Sequence, residues 1–557
     1  FSSSQNNPLC YTKKIMINTA FKNGKKFFSQ QQTSIFSAAF TIGLAMLGSA
    51  ILGIFRDRLL YARFFAINPA QLDVYNAAFK IPDILFQILI TGALSAAFIP
   101  IFSEWINKDE KTANRIASIM LNWLLLAFMG LGVLIFIFAR PLSNLITFGF
   151  SAEQLDLMAL LTRTLVLAQL FLLASNFLTS IIHSHQRFIL PALSPILYNL
   201  GIIAGIVFLS EKIGILGPTI GVVVGAFFHL LIQVPLALSL GFSFRPLLFD
   251  FSDPTIKKII NLMAPRNISL IISQVEAAII IYWATAIGEG MLSLFYLAQH
   301  LSQLPVRLIG ATIGQATLPA LSHQKAKNGL NSFGQLLRQT FSQTAYLALP
   351  VTALFLALRI PLVRLAFGAQ EFPWEATVLT GKILAILSVA IFTQTLCEIT
   401  RRAFYAFADT RTVLVVDGLA TVFNLIFIIC AANFGWGILG LTAGISLSNL
   451  IRLILFIIKL EKRINLINRE SVIAWSKMAI SGIISVLATW QTMRLLDRLV
   501  FDTSRVIPLI FLTAFSGLAG GLVYLACSWT LKISEFTQFA NLAQKIVKKP
   551  NLLKKKL

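Results

Sequence analysis

Charged residues are scarce in this sequence. Asp, Glu, Lys and Arg make up 12% of its 557 residues, about half of the roughly 25% found in soluble domains. Hydrophobic residues reach 57%, and the mean hydropathy is +0.78. Because each charge at the centre of a spanning helix costs about 2.5–3.5 kcal/mol, this composition excludes an ordinary soluble protein and indicates a membrane protein.

Cysteine is also rare, and enzyme signatures are missing. The four cysteines (Cys10, Cys397, Cys430 and Cys527) form no CxxC pair, so nothing supports a disulfide framework or a thiolate metal site. The sequence contains no HExxH, GxSxG or GxxxxGK[ST] motif, which are typical of metalloproteases, hydrolases and NTPases. We therefore expect neither catalysis, nor ATP-driven transport by this chain alone, nor a resident cofactor.

Long apolar runs dominate what is present. A spanning helix needs about 20 mostly apolar residues, and fourteen such segments can be counted. We predict an all-α polytopic membrane protein whose spans lie near 34–55, 73–103, 116–139, 156–182, 189–210, 215–240, 257–287, 291–321, 334–358, 376–404, 411–433, 437–459, 473–495 and 506–530.

The formal net charge is +23. In a membrane protein such a charge sets the topology and contacts anionic lipids, so it does not indicate nucleic-acid binding. Lysine and arginine concentrate in the tails 1–33 and 532–557 and in the even-numbered loops. The positive-inside rule therefore predicts that both tails are cytosolic. The first odd loop is an exception, because it carries Arg58 and Arg63.

The chain also repeats itself. GILGPTIG (214–221) recurs as GILGLTAG (437–444), and YNLG (198–201), shortly before the first copy, has the counterpart FNLI (423–426). These pairs predict two six-helix lobes, 34–240 and 241–460, in the same orientation with a substrate path between them. Residues 461–531 hold two further spans without a counterpart.

Ionisable residues inside or beside the spans are the functional candidates. Arg56, Asp57 and Arg58 follow the first apolar run, and Asp73 and Lys80 are seven residues apart in the second. Seven residues place two side chains on one helix face if the helix is continuous. Because guanidinium groups bind phosphate oxygens in a bidentate fashion, a cationic cavity favours a lipid-linked diphosphate. The alternative is structural: Asp57 neutralises a neighbouring arginine.

The second lobe carries its own ionisable residues. Arg266 and Glu276 lie in the seventh span, and His300 and Arg307 lie in the eighth. Arg307 could line the cavity, and the alternative of a buried ion pair that holds helices together is equally compatible with its position.

Several segments resemble one family. LGIFRDRLLYARFF (52–65), MAPRNISLIISQ (263–274) and RRAFYAFADTRT (401–412) are similar to segments of the MurJ (MviN) lipid II flippases, which belong to the multidrug/oligosaccharidyl-lipid/polysaccharide exporter superfamily. The resemblance covers nearly the whole chain from about residue 34 and includes the fourteen-span count. It implies a transporter that moves undecaprenyl-diphosphate-linked peptidoglycan precursor across the bacterial cytoplasmic membrane by alternating access. It further implies that spans 13 and 14 form a groove for the lipid tail.

The resemblance also suggests site residues. The family's Arg-Asp after span 1 matches Arg56 and Asp57, its acidic residue matches Asp73, and its Lys-x-Pro begins at Lys80. At other positions where the family has charged residues, this chain has Ala50, Phe86-Gln87, Thr91 and Gln299-His300. The replacements leave open whether Arg58, Arg266 or Arg307 takes over their role. The resulting substrate-binding candidates are Arg56, Asp57, Arg58, Asp73, Lys80, Arg266 and His300.

Alternatives remain at this stage. The replaced charges are compatible with a flippase for another polyprenyl-linked oligosaccharide, and a non-transporting scaffold is a third hypothesis. The resemblance implies coupling to the membrane potential or to Na⁺ or H⁺. Asp417 and Asn424, seven apart in span 11, are candidate cation ligands or simply hydrogen-bonding partners. Expected partners are the lipid-linked precursor, membrane lipids and cell-wall synthesis enzymes, and we expect a monomer.

Overall fold

A computed structural model describes residues 35–91, 98–250, 253–368 and 372–548. Within these ranges the regular structure is entirely helical. The helices are α1 (Ile35–Phe64), α2 (Pro69–Ala78), α3 (Lys80–Phe86), α4 (Ile99–Lys108), α5 (Glu110–Ile137), α6 (Ala139–Ile146), α7 (Ala152–Ser184), α8 (Ile189–Ala204), α9 (Ser210–Ile213), α10 (Leu216–Leu231), α11 (Val234–Ser239), α12 (Pro254–Ile287), α13 (Met291–Pro305), α14 (Thr312–Ala357), α15 (Arg359–Phe367), α16 (Trp374–Ala406), α17 (Thr410–Asn433), α18 (Gly437–Ile464), α19 (Arg469–Leu499), α20 (Val506–Thr530) and α21 (Ser534–Lys548).

Eleven stretches of helix in the described ranges are long and apolar enough to cross a membrane, which confirms the predicted class. They are Glu110–Ile137, Ala152–Ser184, Ile189–Ile213, Leu216–Ser239, Leu270–Ile287, Gly329–Ala357, Trp374–Ala406, Thr410–Asn433, Gly437–Ile464, Arg469–Leu499 and Val506–Thr530. The other three predicted spans, 34–55, 73–103 and 291–321, are helical over their described residues but are not among the eleven. The count of fourteen therefore stays a prediction.

The first helix is longer than its apolar run. We expected the span to end near residue 55, but α1 continues to Phe64. Arg56, Asp57, Arg58 and Arg63 therefore lie on its last turns and not in a loop after it. The helix continues because this segment contains neither proline nor, after residue 53, glycine, the two residues that most often end a helix.

The second predicted span is interrupted. The helical hydrogen-bond pattern is interrupted between α2 and α3 at Phe79, whose backbone stays in the helical region, and the helix widens into a π-helical turn over Gln87–Thr91. Pro82 has no N–H to donate to the preceding turn, which is a common cause of such a break. The eighth predicted span has the same feature, because α13 ends at Pro305 and a π-helical turn covers Val306–Ala311. Both members of this repeat pair are thus locally irregular.

The repeated glycine motif allows two helices to approach closely. A Cβ atom at Gly201 of α8 would lie 2.4 Å from the Cα of Gly225 in α10, and one at Gly221 would lie 2.7 Å from the carbonyl oxygen of Gly201. Only hydrogen fits at such a distance, which explains why small residues are needed where membrane helices cross at short range.

Buried side chains form three apolar cores. One core contains residues from both halves of the chain, among them Tyr61, Leu72, Phe295 and Phe367. Of the other two, one draws its residues from positions 85–259 and the other from 321–533. The two halves therefore share a core at one end of the bundle, which we call the shared-core end, while each of the other two cores lies mostly within one half.

Candidate functional site

Arg56 lies at the centre of a polar cluster between α1 and α8. Its Nε and Nη2 donate to Oδ1 of Asp57 at 2.9 and 2.6 Å, and its Nη1 donates to Oδ1 of Asn199 at 3.0 Å. The side chain is 22% exposed. A guanidinium presents five N–H donors in a plane, and both of its edges are engaged here.

The same cluster reaches the second half of the chain through His300. Nδ1 of His300 on α13 lies 3.3 Å from Oδ2 of Asp57. The imidazole is 56% exposed, so its ring is open to a ligand. The structure thus brings together three predicted site residues, Arg56, Asp57 and His300.

Lys80 provides a second connection between the halves. Its Nζ donates to Oε1 of Gln274 on α12 at 2.7 Å, and Lys80 itself is only 8% exposed. Asp83, one turn further along α3, accepts a hydrogen bond from Nε2 of Gln169 on α7 at 2.5 Å. Lys80 therefore lies between the halves and contacts α12 and not Arg56.

Asp73 has a different environment from the other candidates. Its Oδ2 accepts from the backbone N–H of Gly290 at 2.6 Å, and its Oδ1 accepts from the N–H and the hydroxyl of Ser293 at 2.7 and 2.6 Å. Asn76 donates to the same hydroxyl, and Tyr61 donates to the carbonyl of Ser293. Asp73 thus caps the N-terminus of α13 from the other half of the chain, where a negative charge is favoured.

We call this group, formed by Tyr61, Asp73, Asn76, Gly290 and Ser293, the capping latch. It lies at the shared-core end, and Asp73 is 1% exposed. Gly290 has φ = 80°, and a Cβ atom there would lie 3.0 Å from Pro69 and 3.2 Å from the ring of Phe65. Glycine at this position therefore permits both the left-handed conformation and the close contact between halves.

The remaining arginine candidates are not part of these clusters. Arg58 is partly exposed, and no hydrogen bond or ion pair joins it to a residue of the described ranges. Arg307 is exposed on a π-helical turn, so the buried ion pair considered for it is not observed. Arg266 is part of α12, but its side chain lies outside the described residues.

The second lobe contains a larger ionic network. Oδ1 of Asp417 lies 3.1 Å from Nε of Arg452 and 3.2 Å from Nη2 of Arg401. Glu276 accepts hydrogen bonds from Asn424 and Thr421, both at 2.9 Å, and lies 3.7 Å from Arg452. Three carboxylates meet three guanidinium groups in this network, which consists of Glu276, Glu398, Asp417, Arg401, Arg402 and Arg452.

This network bears on the candidate cation ligands. Asp417 faces two arginines, and Asn424 directs its N–H₂ group to Glu276 while its buried Oδ1 accepts no hydrogen bond from a described residue. No group of three or more His, Cys, Asp or Glu residues able to hold a metal ion is found within the described residues. Because guanidinium groups already neutralise the carboxylates, the residues do not fit a Na⁺ site.

Among the residues that the sequence reasoning did not predict as site residues are Asn199 and Arg452. Their partners Arg56 and Glu276 lie 143 and 176 positions away along the chain. A signal for Asn199 did exist, since YNLG and FNLI place an asparagine at matching positions of the two lobes. For Arg452 we find no such signal.

Comparison with known proteins identifies similar chains. The model of the family described as "Lipid II flippase MurJ" matches residues 61–503, so the match begins five residues after Arg56. A probable lipid II flippase MurJ of Bdellovibrio bacteriovorus is 26% identical over 443 residues, covering 78% of this chain and 83% of that protein. The lipid II flippase MurJ of Burkholderia cenocepacia is 25% identical, covering 77% and 84%.

A solved structure is similar along most of the chain. It is described as "Lipid II flippase MurJ, inward closed conformation", and it superimposes with a TM-score of 0.72 at 23% identity. The superposition covers 87% of this chain and 97% of the other. This similarity establishes the fold independently of the family model.

Proposed function

This chain belongs to the lipid II flippase MurJ family, and on that premise we propose that it carries lipid II, the lipid-linked peptidoglycan precursor, across the bacterial inner membrane. The observation that carries the proposal is the family match over residues 61–503. The transported headgroup bears a diphosphate, and the arginine and lysine between the two halves supply the matching charge.

The headgroup binds at Arg56. In the conformation described, the Nε–Nη2 edge of its guanidinium is taken by Asp57, so the incoming diphosphate displaces this carboxylate. Asp57 then remains beside His300, 3.3 Å away. Lys80 adds a second positive group close to α12. Charge-assisted hydrogen bonds of this kind are roughly twice as strong as neutral ones.

The capping latch acts as the gate of alternating access. At the shared-core end, Asp73 and the apolar residues around Tyr61 and Phe367 join the two halves. Away from that end the apolar side chains form two further cores, one within residues 85–259 and one within 321–533. Access alternates when the latch opens and the halves separate at the shared-core end. The positive-inside rule places both tails, and hence the opposite end, in the cytosol.

Energy coupling in this chain is independent of bound Na⁺. Arg452 contributes the positive charge between Asp417 and Glu276. Because this charge belongs to a side chain, it cannot be exchanged across the membrane as a bound Na⁺ ion can. The membrane potential and H⁺ are the remaining driving forces, and moving one charge through 100 mV is worth about 2.3 kcal/mol.

Complementation tests the proposed function. A strain depleted of its own lipid II flippase is supplied with this chain, and lipid II on the outer leaflet is measured with a membrane-impermeant probe. We expect the wild type to restore exposure and Arg56→Gln to abolish it. Arg63→Gln is the matched control, because Arg63 lies on the same helix but forms an exposed ion pair with Glu211. Failure of a well-expressed wild-type chain to restore exposure contradicts the proposal.

A second function is favoured by one observation. His300 stands where the family has an arginine, and its ring is 56% exposed, which weakens the permanent positive charge of the site. A polyprenyl-linked oligosaccharide other than lipid II fits such a site. Loss of an exopolysaccharide or glycolipid with a normal cell wall, after deletion in the native host, would support this function over the first.

A further inference from the structure

Asn199 links two residues of the first helix. Its Oδ1 accepts from Nη1 of Arg56 at 3.0 Å, and its Nδ2 donates to the carbonyl and the hydroxyl of Ser49, both at 3.2 Å. Ser49 and Arg56 are seven residues apart on α1 and therefore share a face. Asn199 is 6% exposed, so its amide group has its orientation fixed by these contacts.

In the second lobe the matching asparagine contacts an ionic side chain of opposite charge. Asn424 occupies the matching position in FNLI, and its Nδ2 donates to Oε1 of Glu276 at 2.9 Å. Arg56 and Glu276 precede the repeated tyrosines Tyr75 and Tyr296 by 19 and 20 residues. In each lobe an asparagine from the fifth span thus holds an ionic side chain on the first span. An arrangement that recurs in both halves of the repeat is a built feature of the lobe and not an isolated contact.

The geometry divides the guanidinium of Arg56 into two edges. Asp57 occupies the edge formed by Nε and Nη2, which is the edge that binds an oxyanion in a bidentate fashion. Asn199 occupies Nη1. When a phosphate replaces Asp57, the contact with Asn199 can persist and keep the guanidinium plane in place. Little side-chain entropy is then lost on binding, since the plane is already oriented.

We propose that Asn199 is a positioning residue for diphosphate recognition, because it holds Nη1 of Arg56 and presents the Nε–Nη2 edge to the substrate. This inference rests on the proposed function. It adds a residue of the fifth span to the site, and it predicts that Asn199 acts only through Arg56.

A double-mutant cycle tests this dependence. Purified wild type, Asn199→Leu, Arg56→Gln and the double variant are titrated with a short-chain polyprenyl diphosphate in detergent. We expect Asn199→Leu to weaken binding about tenfold and to have less than a twofold effect when Arg56 is already Gln, because coupled residues are non-additive. A merely structural role would lower affinity by the same factor in both backgrounds.

Asn122→Leu is the matched control. Asn122 is also a buried asparagine, but its Nδ2 donates to the backbone carbonyls of Arg245 and Leu248. We expect it to lower the melting temperature without a coupled effect on diphosphate affinity. Equal effects of Asn199→Leu in both backgrounds, or unchanged affinity with a folded protein, overturn the role of Asn199. A wild type that does not bind the diphosphate overturns the proposed function and this role together.

Discussion

The capping latch makes a quantitative prediction about conformation. Asp73 accepts three hydrogen bonds of 2.6–2.7 Å from Gly290 and Ser293, and it does so across the two halves. Hydrogen bonds to a charged group contribute about 1.5–3 kcal/mol each, and the loss of an N-cap costs about 0.5–2 kcal/mol. Because these contributions overlap, we expect Asp73→Leu to destabilise the closed state by about 2–4 kcal/mol relative to the open one. The closed-to-open ratio then falls roughly 30- to 1,000-fold.

The equilibrium can be measured as a distance across the shared-core end. Spin labels at Ile67→Cys and Phe434→Cys, both exposed positions, report it in a variant without native cysteines. We expect the distance distribution to move to longer values in Asp73→Leu, and less so in Asp73→Asn, which keeps one acceptor. Asp156→Asn is the control, since Asp156 forms an exposed pair with Arg140. An unchanged distribution in a folded Asp73→Leu protein refutes the gating role of the latch.

Three further predictions concern other residues. Gly290→Ala should shift the same distance distribution in the same direction, because a left-handed conformation costs an alanine about 1–2 kcal/mol and its Cβ would press on Phe65. Arg452→Leu should lower thermal stability by about 1–3 kcal/mol, because the partly buried Glu276 loses its ion pair while Asp417 keeps Arg401, and should make the melting temperature respond to NaCl more than to KCl. Burial raises the pKa of Asp409, but hydrogen bonds from Thr412 and Arg463 outweigh it and lower the pKa overall. Asp409→Asn keeps a capping acceptor but loses the ion pair with the exposed Arg463, and should therefore cost about 0.2–1 kcal/mol at neutral pH.

The sign for Asp409 follows from linkage. A carboxylate whose pKa is lowered in the folded state stabilises the protein above its unfolded pKa of about 3.9, and this contribution disappears as the pH falls through the folded value. The difference in stability between the wild type and Asp409→Asn should therefore hold down to about pH 4 and disappear as the pH falls further, through the lower folded pKa. A difference that stays constant well below pH 4 contradicts the pairing. Wild-type stability that rises selectively with NaCl contradicts the role given to Arg452.

The helical membrane class could be predicted from composition and hydropathy, because a bilayer tolerates few charges and a protein that spans it needs long apolar helices. The repeat was visible as matched glycine and asparagine motifs. The boundaries were less predictable. Arg56 was expected after the first helix and lies on it, because a spanning helix continues past its apolar run when nothing in the sequence stops it.

Family membership and the arginines at the end of the first apolar run were predictable from the sequence alone. What only the tertiary structure decided was which charges are free and which are paired. Asp73 caps a helix that begins beside Gly290, 217 positions further along the chain, and Arg452 neutralises Asp417. Pairing between distant residues depends on how helices cross, and the apolar stripes that direct this crossing carry no information about which polar groups will meet.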